Sequence, residues 1–174
     1  MNRLDSENKN SKKVDQNKQF EKILRISLII AIVVISGFIV YYLLTPESGY
    51  VTFGILNSEK EAENYPTNST VGQNVSFYIS VGNYLKRDFS FRVEILRGDN
   101  NTILSPEGSS FATSVLNITD TTLKNKIQWT SSMLNVSFSV IGSNQTIIAE
   151  LWEVDRNFFE SFIMNTWLRL NITS

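Results

Sequence analysis

Carboxylates are the side chains of this sequence that come closest to a pattern able to do chemistry. Glu150, Glu153 and Asp155 follow one another closely, and a pair of carboxylates is the catalytic unit of most glycoside hydrolases. Glu150 alternates with Ile148 and Trp152, however, and this alternation predicts a strand position that faces solvent or lies at an edge. We therefore expect no catalytic residues in this region.

A second acidic group occupies positions 59–63, with the sequence Glu-Lys-Glu-Ala-Glu. Oxygen ligands at this density can hold Ca²⁺, but the spacing lacks the Asp, Asn and Gly pattern of a calcium-binding loop. The plainer interpretation is a solvated loop. The sequence thus predicts no metal site and no cofactor.

Composition excludes several further kinds of chemistry. The 174 residues include no cysteine and no histidine, so disulfides, thiolate catalysis, imidazole catalysis and the usual zinc ligands are excluded. No basic stripe with interleaved aromatic residues occurs, and we expect no nucleic acid partner. A free-standing enzyme is the weakest of the functional hypotheses, and the sequence predicts a non-enzymatic protein.

One apolar run, residues 23–44, is long enough to cross a membrane as a helix. A helix of this length rises by about 33 Å, and the hydrocarbon core of a bilayer is about 30 Å thick. The run divides the chain into a disordered tail (1–22), a transmembrane helix (23–44), a short linker (45–49) and a domain (50–174). The short linker would keep that domain close to the lipid headgroups.

Charge predicts the orientation of this helix. Residues 1–25 carry seven basic and four acidic side chains, whereas residues 45–174 carry nine basic and thirteen acidic ones. The basic side stays in the cytoplasm, so the N-terminus is predicted inside and the domain outside the cell. A cleaved signal peptide is disfavoured by the long lead and the long apolar run. A pilin-type segment is disfavoured because no Lys/Arg-small dipeptide begins the run.

Glycosylation motifs support the same orientation. Every Asn-x-Ser/Thr sequon of the chain lies after the apolar run, as in a glycosylated outer domain. Asn, Ser and Thr are common in this region, so chance alone would produce several. The candidate glycosylation sites are Asn68, Asn74, Asn100, Asn117, Asn135, Asn144 and Asn171.

After residue 49 the apolar pattern acquires a period of two, which is typical of strands with one buried face. Alternation is clearest at 75–81, 89–95 and 134–140, with turn compositions such as Gly98–Asn101 and Ser105–Gly108 in between. The pattern predicts an all-β antiparallel sandwich of the immunoglobulin or fibronectin type. Weaker strand candidates are 50–56, 102–104, 111–118, 126–130, 146–154 and 167–172.

The segment Asn157–Asn165 departs from this pattern. Phe158, Phe159, Phe162 and Ile163 fall at helical spacing, which predicts a short helix covering one end of the sandwich. The alternative is an apolar loop that lies towards a partner or the membrane.

The motif Tyr65-Pro66-Thr67-Asn68 follows an acidic segment and precedes Val71-Gly72. Together with the closing segment Trp167–Ile172, it resembles the outer domain of an uncharacterised archaeal membrane-protein family, domain of unknown function 1616. The resemblance covers roughly residues 50–172 and implies an archaeal origin and an extracellular sandwich. It implies no activity, because none is assigned to that family. Many members have several spans, whereas this chain has one.

The same motif also has a physical interpretation. Pro66 restricts the preceding Tyr65 to extended conformations, and Asn68 and Thr70 can bond to the turning backbone. We expect Tyr65 to act as a structural clasp that plugs one end of the sandwich. A loop that contacts a ligand is the alternative.

These observations lead to two functional hypotheses. The first is a single-pass archaeal cell-envelope protein whose non-catalytic, N-glycosylated sandwich binds another membrane or cell-surface protein. The alternative is an accessory, non-catalytic subunit of a membrane complex, such as a respiratory enzyme or the machinery of a surface filament.

Overall fold

The computed structural model describes the backbone of residues 4–45 and 48–174, and the side chains from residue 19 onward in those ranges, except Asp120. The chain forms two compact units, residues 1–47 and 48–174. The first contains the helix α1 (Leu4–Leu44), and the second is a mainly antiparallel β-sandwich. The predicted fold class, one N-terminal apolar helix followed by an all-β sandwich, is confirmed.

Helix α1 is longer than predicted. It begins at Leu4, so residues 4–22 are helical where the sequence predicted a disordered tail. Lys, Gln and Glu are good helix formers, and extending an existing helix costs far less than nucleating one. The stretch Gln19–Leu44 is long and apolar enough to cross a membrane, as a signal sequence can also be. Pro46, which we expected to end the helix, lies outside the described residues.

The strands account for nearly every predicted segment. Within the described residues they are β1 (Val51–Leu56), β2 (Asn68–Thr70), β3 (Val75–Asn83), β4 (Phe89–Gly98), β5 (Ile103–Ser105), β6 (Gly108–Ser110), β7 (Thr113–Leu123), β8 (Ile127–Thr130), β9 (Leu134–Val136), β10 (Gly142–Val154) and β11 (Glu160–Thr173).

The first sheet has the order β1-β3-β8, with β9 also paired to β3. Strands β8 and β9 follow one another along β3, and Ser131 bridges the gap between them. Its backbone N–H donates to the Ile79 carbonyl at 2.9 Å, and its hydroxyl accepts the Ile79 N–H at 3.0 Å. The predicted strand 134–140 is therefore too long, because pairing with β3 ends at Val136.

The second sheet has the order β2-β11-β10-β4-β7. Its pairs are antiparallel except β2 with β11, which run parallel with Asn68 opposite Asn171. Strands β5 and β6 form a separate hairpin. The sequence missed β2, since three residues are too few to establish a period.

The helix predicted at Asn157–Asn165 is wrong, because most of this segment belongs to β11. The register shifts so that Leu151 pairs with Met164 and Trp152 with Phe162, which leaves Ile163 as an extra residue. Ile163 packs against the core, while the Phe162 ring meets Trp152 at 5.3 Å between centroids. The bulge places apolar residues on both faces of the strand. Their spacing in the sequence is therefore the same as in an amphipathic helix.

The core lies between the two sheets. It is formed by alternate residues of their facing strands, as the period of two predicts. Its most deeply buried members are Phe77, Ile79, Val81, Phe89, Phe91, Val93, Ile95, Ile147, Ala149, Leu151 and Leu170.

Candidate functional site

The sandwich has two ends with different surfaces, and both are formed by the loops between strands. The junction end holds the first residues of the sandwich unit, Gly49 and Tyr50, together with the loops 84–88, 124–126 and 155–159. The far end is formed by the segments 57–74, 99–102, 111–112 and 137–145, which include β2 and the first residues of β10.

A buried asparagine organises the junction end. The side-chain amide of Asn83 donates to the carbonyls of Arg87 and Leu123, both at 2.7 Å, and its oxygen accepts the Leu85 N–H at 2.9 Å. Asn83 is completely buried, so each of these bonds replaces one that water would otherwise supply. The Tyr50 ring stacks on Tyr84 at 4.9 Å between centroids.

A second asparagine organises the far end. The Asn57 oxygen accepts the backbone N–H groups of Glu59 and Glu61 at 2.8 and 2.9 Å, and its amide donates to the Glu63 carbonyl at 2.8 Å. These bonds fold the acidic segment 59–63 into a tight loop whose residues are all exposed. Within the described residues, no group of three or more His, Cys, Asp or Glu is arranged to hold a metal ion.

The Tyr-Pro-Thr-Asn motif lies beside this loop. The Tyr65 hydroxyl donates to the Ile55 carbonyl at 2.7 Å, its ring packs against the core, and burial raises the pKa of its phenol. The Thr67 carbonyl accepts the Asn171 N–H at 2.9 Å, and Asn68 begins β2. Tyr65 and Thr67 thus attach the segment to β1 and to β11, and these are the contacts that a clasp requires.

All seven sequon asparagines are exposed, but their distribution is uneven. Asn68, Asn74, Asn100 and Asn144 lie within the far-end segments, while Asn135 and Asn171 adjoin them because they pair with Ser76 and Asn68. Asn117 lies in the middle of β7, opposite Glu94. The junction-end loops contain no sequon.

The far end also exposes an apolar patch, formed by Phe111, Val140 and Ile141. Phe111 is 78 % exposed and Val140 65 %, and both line an open groove floored by Phe138. Phe111 adopts a left-handed backbone conformation with φ of 60°, which is uncommon for an aromatic residue. The sequence missed this patch because alternation assigned Val140 to a strand, and pairing ends before it.

Glu150 occupies a different environment from the one predicted. It lies on β10, the central strand of its sheet, and is only 2 % exposed, so the expectation of a solvent-facing or edge position is wrong. The β5–β6 hairpin covers it. The Ser109 N–H donates to its carboxylate at 2.5 Å, and the Trp152 indole N–H donates at 3.2 Å. Gly108, with φ of 112°, leaves room for this contact.

The other carboxylates singled out by the sequence have separate partners. Glu153 pairs with the Arg87 guanidinium at 2.6 Å, and Asp155 accepts the N–H groups of Asn157 and Phe159 within its own turn. Each carboxylate therefore bonds to a structural partner, and the structure does not arrange them as a pair around an open cleft.

An ion-pair network lies on the same outer face of the second sheet. Arg92 donates to Glu94 at 2.8 Å and to both oxygens of Glu160, at 2.8 and 2.9 Å, and its guanidinium lies 5.2 Å from the Trp152 ring centre. Burial would raise the pKa of Glu94, but hydrogen bonds from Ser114 and Arg92 and the charge of Arg92 lower it below 4.5.

The chain is similar to several solved structures of known proteins. No family model and no curated protein sequence matches the chain. It is similar to the CARDB domain of a Pyrococcus furiosus protein, solved in complex with di-metal ions, with 16 % identity over 75 % of this chain and 93 % of that one, at a TM-score of 0.46.

Two further solved structures show a similar overlap. The C-terminal domain of Wzt is 9 % identical over 75 % of this chain and 80 % of that one, at a TM-score of 0.44. A cohesin module from a Clostridium perfringens family 33 glycoside hydrolase is 7 % identical over 74 % of this chain and 100 % of that one, at a TM-score of 0.37. At such values, function has to be inferred from the chain's own surfaces.

Proposed function

We propose that this chain is a single-pass archaeal cell-envelope protein whose non-catalytic sandwich binds another membrane or cell-surface protein. The N-terminus is cytoplasmic, α1 is the anchor, and the sandwich lies outside the cell and carries N-linked glycans. The observation that carries the proposal is the exposed apolar patch of Phe111, Val140 and Ile141. Exposed aromatic and aliphatic side chains grouped around a groove are typical of protein-binding surfaces.

Three features support the other parts of this proposal. The basic residues that precede the apolar run favour a cytoplasmic N-terminus. All sequon asparagines are exposed on the sandwich, where a glycosylating enzyme can reach them. The resemblance to the archaeal family of domain of unknown function 1616 remains a proposal, based on the Tyr65–Asn68 motif.

Affinity purification from the native host, in mild detergent, tests the proposal. The tagged chain is compared with a double variant, Phe111→Ser with Val140→Ser, and with a control variant, Phe158→Ser, at the other end. We expect a stoichiometric partner that the double variant loses and the control keeps. A partner with cofactors or a motor activity would favour the accessory-subunit hypothesis. Equal recovery of the partner by all three chains would contradict a binding site at the patch.

A further inference from the structure

The loop between β10 and β11 is a tight turn that supports itself. The Asp155 carboxylate accepts the N–H groups of Asn157 and Phe159 at 2.7 and 2.9 Å. Backbone bonds join Asp155 N–H to the Phe159 carbonyl, and Phe158 N–H to the Asp155 carbonyl, at 3.0 and 3.1 Å. Because Asp155 and the backbone hold the turn, no side chain at positions 158 or 159 is needed to keep it folded.

These two positions nevertheless carry phenylalanines. Phe158 is 82 % exposed and Phe159 74 %. Phe158 is also left-handed, with φ of 61°, where Asn or Gly would be less strained. A strained, solvent-exposed aromatic side chain at the tip of a hydrogen-bonded turn points to a role outside the sandwich itself.

The loops around this tip are basic. Segments 84–88, 124–126 and 155–159 together contain five basic and two acidic residues, and one of the basic residues, Arg87, is paired with Glu153 just outside them. Lys124 and Lys126 flank Asn125 in one loop, and Arg156 is part of the turn. Asn125 accepts the Lys86 N–H at 3.0 Å, which holds two of these loops side by side. Cations that surround exposed aromatic rings form the pattern that binds anionic lipid surfaces.

The same end is where the chain enters the sandwich and where sequons are missing. Gly49 and Tyr50 contact Leu85 and Tyr84, and only residues 45–47 separate α1 from the sandwich unit. Along the chain, the junction end is therefore the part of the sandwich next to the proposed membrane anchor. A glycan on these loops would obstruct contact between this end and lipid, and no junction-end loop contains a sequon.

We propose that the junction end docks on the membrane surface, with Phe158 and Phe159 entering the interfacial layer of a bilayer that contains anionic lipids. Lys124, Lys126 and Arg156 lie over the headgroup phosphates, where each cation adds electrostatic attraction. Aromatic rings favour this layer because it accommodates their apolar faces next to polar headgroups. The inference rests on the proposed membrane anchoring by α1.

Site-directed spin labelling of the full-length chain tests the docking, since the absence of cysteine allows one label at a time. The chain is reconstituted into phosphatidylglycerol–phosphatidylcholine vesicles. Labels are placed with Asn157→Cys in the turn, Ser139→Cys at the far end and Val34→Cys within α1. Collision of each label with oxygen, which is concentrated in lipid, is compared with collision with a water-soluble nickel complex.

We expect the label at 157 to collide mainly with oxygen and the label at 139 mainly with nickel. Adding Phe158→Ser and Phe159→Ser should make the label at 157 collide mainly with the nickel complex. Vesicles of pure phosphatidylcholine should produce part of the same change. Both phenylalanines are exposed, so these changes should leave the fold intact. A matched control, Phe111→Ser, should leave the label at 157 unchanged.

Three outcomes would overturn the inference. A label at 157 that reports water, while the label at 34 reports lipid, would contradict docking but leave the anchor standing. A label at 34 that reports water would contradict the anchor and the docking together. A label at 157 protected from both reagents would place the tip against protein instead of lipid.

Discussion

The two ends of the sandwich are built alike and differ in their surface chemistry. Each is organised by one asparagine, Asn83 or Asn57, whose side chain makes three hydrogen bonds to backbone groups. Each also exposes a left-handed phenylalanine, Phe158 or Phe111. The junction-end loops are basic and have no sequon, whereas the far-end segments carry four acidic residues, one basic residue and four sequon asparagines.

The construction of a loop and its surface chemistry therefore vary independently in this sandwich. A buried asparagine closes a loop at either end, and the surrounding charges and sequons then determine what each loop can contact. A lipid surface suits the basic end, and a protein partner suits the apolar patch of the acidic, sequon-rich end.

The largest expected effect comes from removing a core ring near the junction end. Phe89 is completely buried and stacks on Phe91, so Phe89→Ala should lower the free energy of unfolding by about 3–5 kcal/mol. Phe111→Ala, at the far end, should change it by less than about 0.5 kcal/mol, since its ring is exposed. Urea unfolding of both variants measures the contrast, and comparable losses would contradict the assigned burial.

The two organising asparagines should differ in importance. Asn83→Ala removes a buried hydrogen bond to the Leu123 carbonyl and should cost about 2–3 kcal/mol of unfolding free energy. Asn57→Ala affects one surface loop and should cost about 1 kcal/mol. Hydrogen exchange should show a loss of protection across β3, β4 and β7 in Asn83→Ala. In Asn57→Ala the loss of protection should be confined to residues 57–63. A larger loss for Asn57→Ala would invert the ranking of the two ends.

The outer face between the two ends should give the sandwich a weak acid sensitivity. The pKa of Glu94 is lower in the folded chain than its ordinary 4.5, so its ionised form stabilises the fold. That contribution is present above pH 4.5 and is lost as the pH falls through the folded pKa. Glu94→Gln should therefore flatten the decline in unfolding free energy below pH 4.5. If the unfolding free energy of Glu94→Gln declined with pH as steeply as that of the unchanged chain, Arg92 would contribute no net stabilisation here.

The smallest structural change should give the sharpest test of the difference between the ends. Ile127→Thr completes an Asn-x-Thr sequon at Asn125 in a junction-end loop. In the native host, mass spectrometry should find glycan at far-end sites such as Asn144 and none at Asn125, because the membrane shields that loop. Full occupancy of Asn125 would contradict close contact between this end and lipid.

Much of the sandwich could be predicted because its strands obey a simple period. Residues 75–81 and 89–95 alternate cleanly since one face of each strand packs in the core, and these strands are confirmed. The outer face of the second sheet breaks this rule. Ile148 and Glu150 are both buried there. The β5–β6 hairpin covers Glu150 through Ser109, and alternation alone cannot reveal a cover supplied by distant residues.

The surfaces at the two ends were harder to predict. The spacing of Phe158, Phe159, Phe162 and Ile163 is helical only because a bulge and a turn place apolar residues on several sides. Such turns depend on single side chains, here Asp155, whose bonds to Asn157 and Phe159 leave no periodic signal. The sequons could be found by motif, but their concentration at one end required the strand topology.

The parallel pairing of β2 with β11 joins residues 103 positions apart, such as Asn68 and Asn171. Such pairing cannot form until β11 has been synthesised, and long-range β pairing of this kind is slow. In the proposed topology, the segments that contain Asn68, Asn74 and Asn100 cross the membrane before β11. They would stay unfolded outside the cell until β11 follows. A change that weakens the pairing of β2 with β11 would therefore lengthen the interval in which these segments stay unfolded.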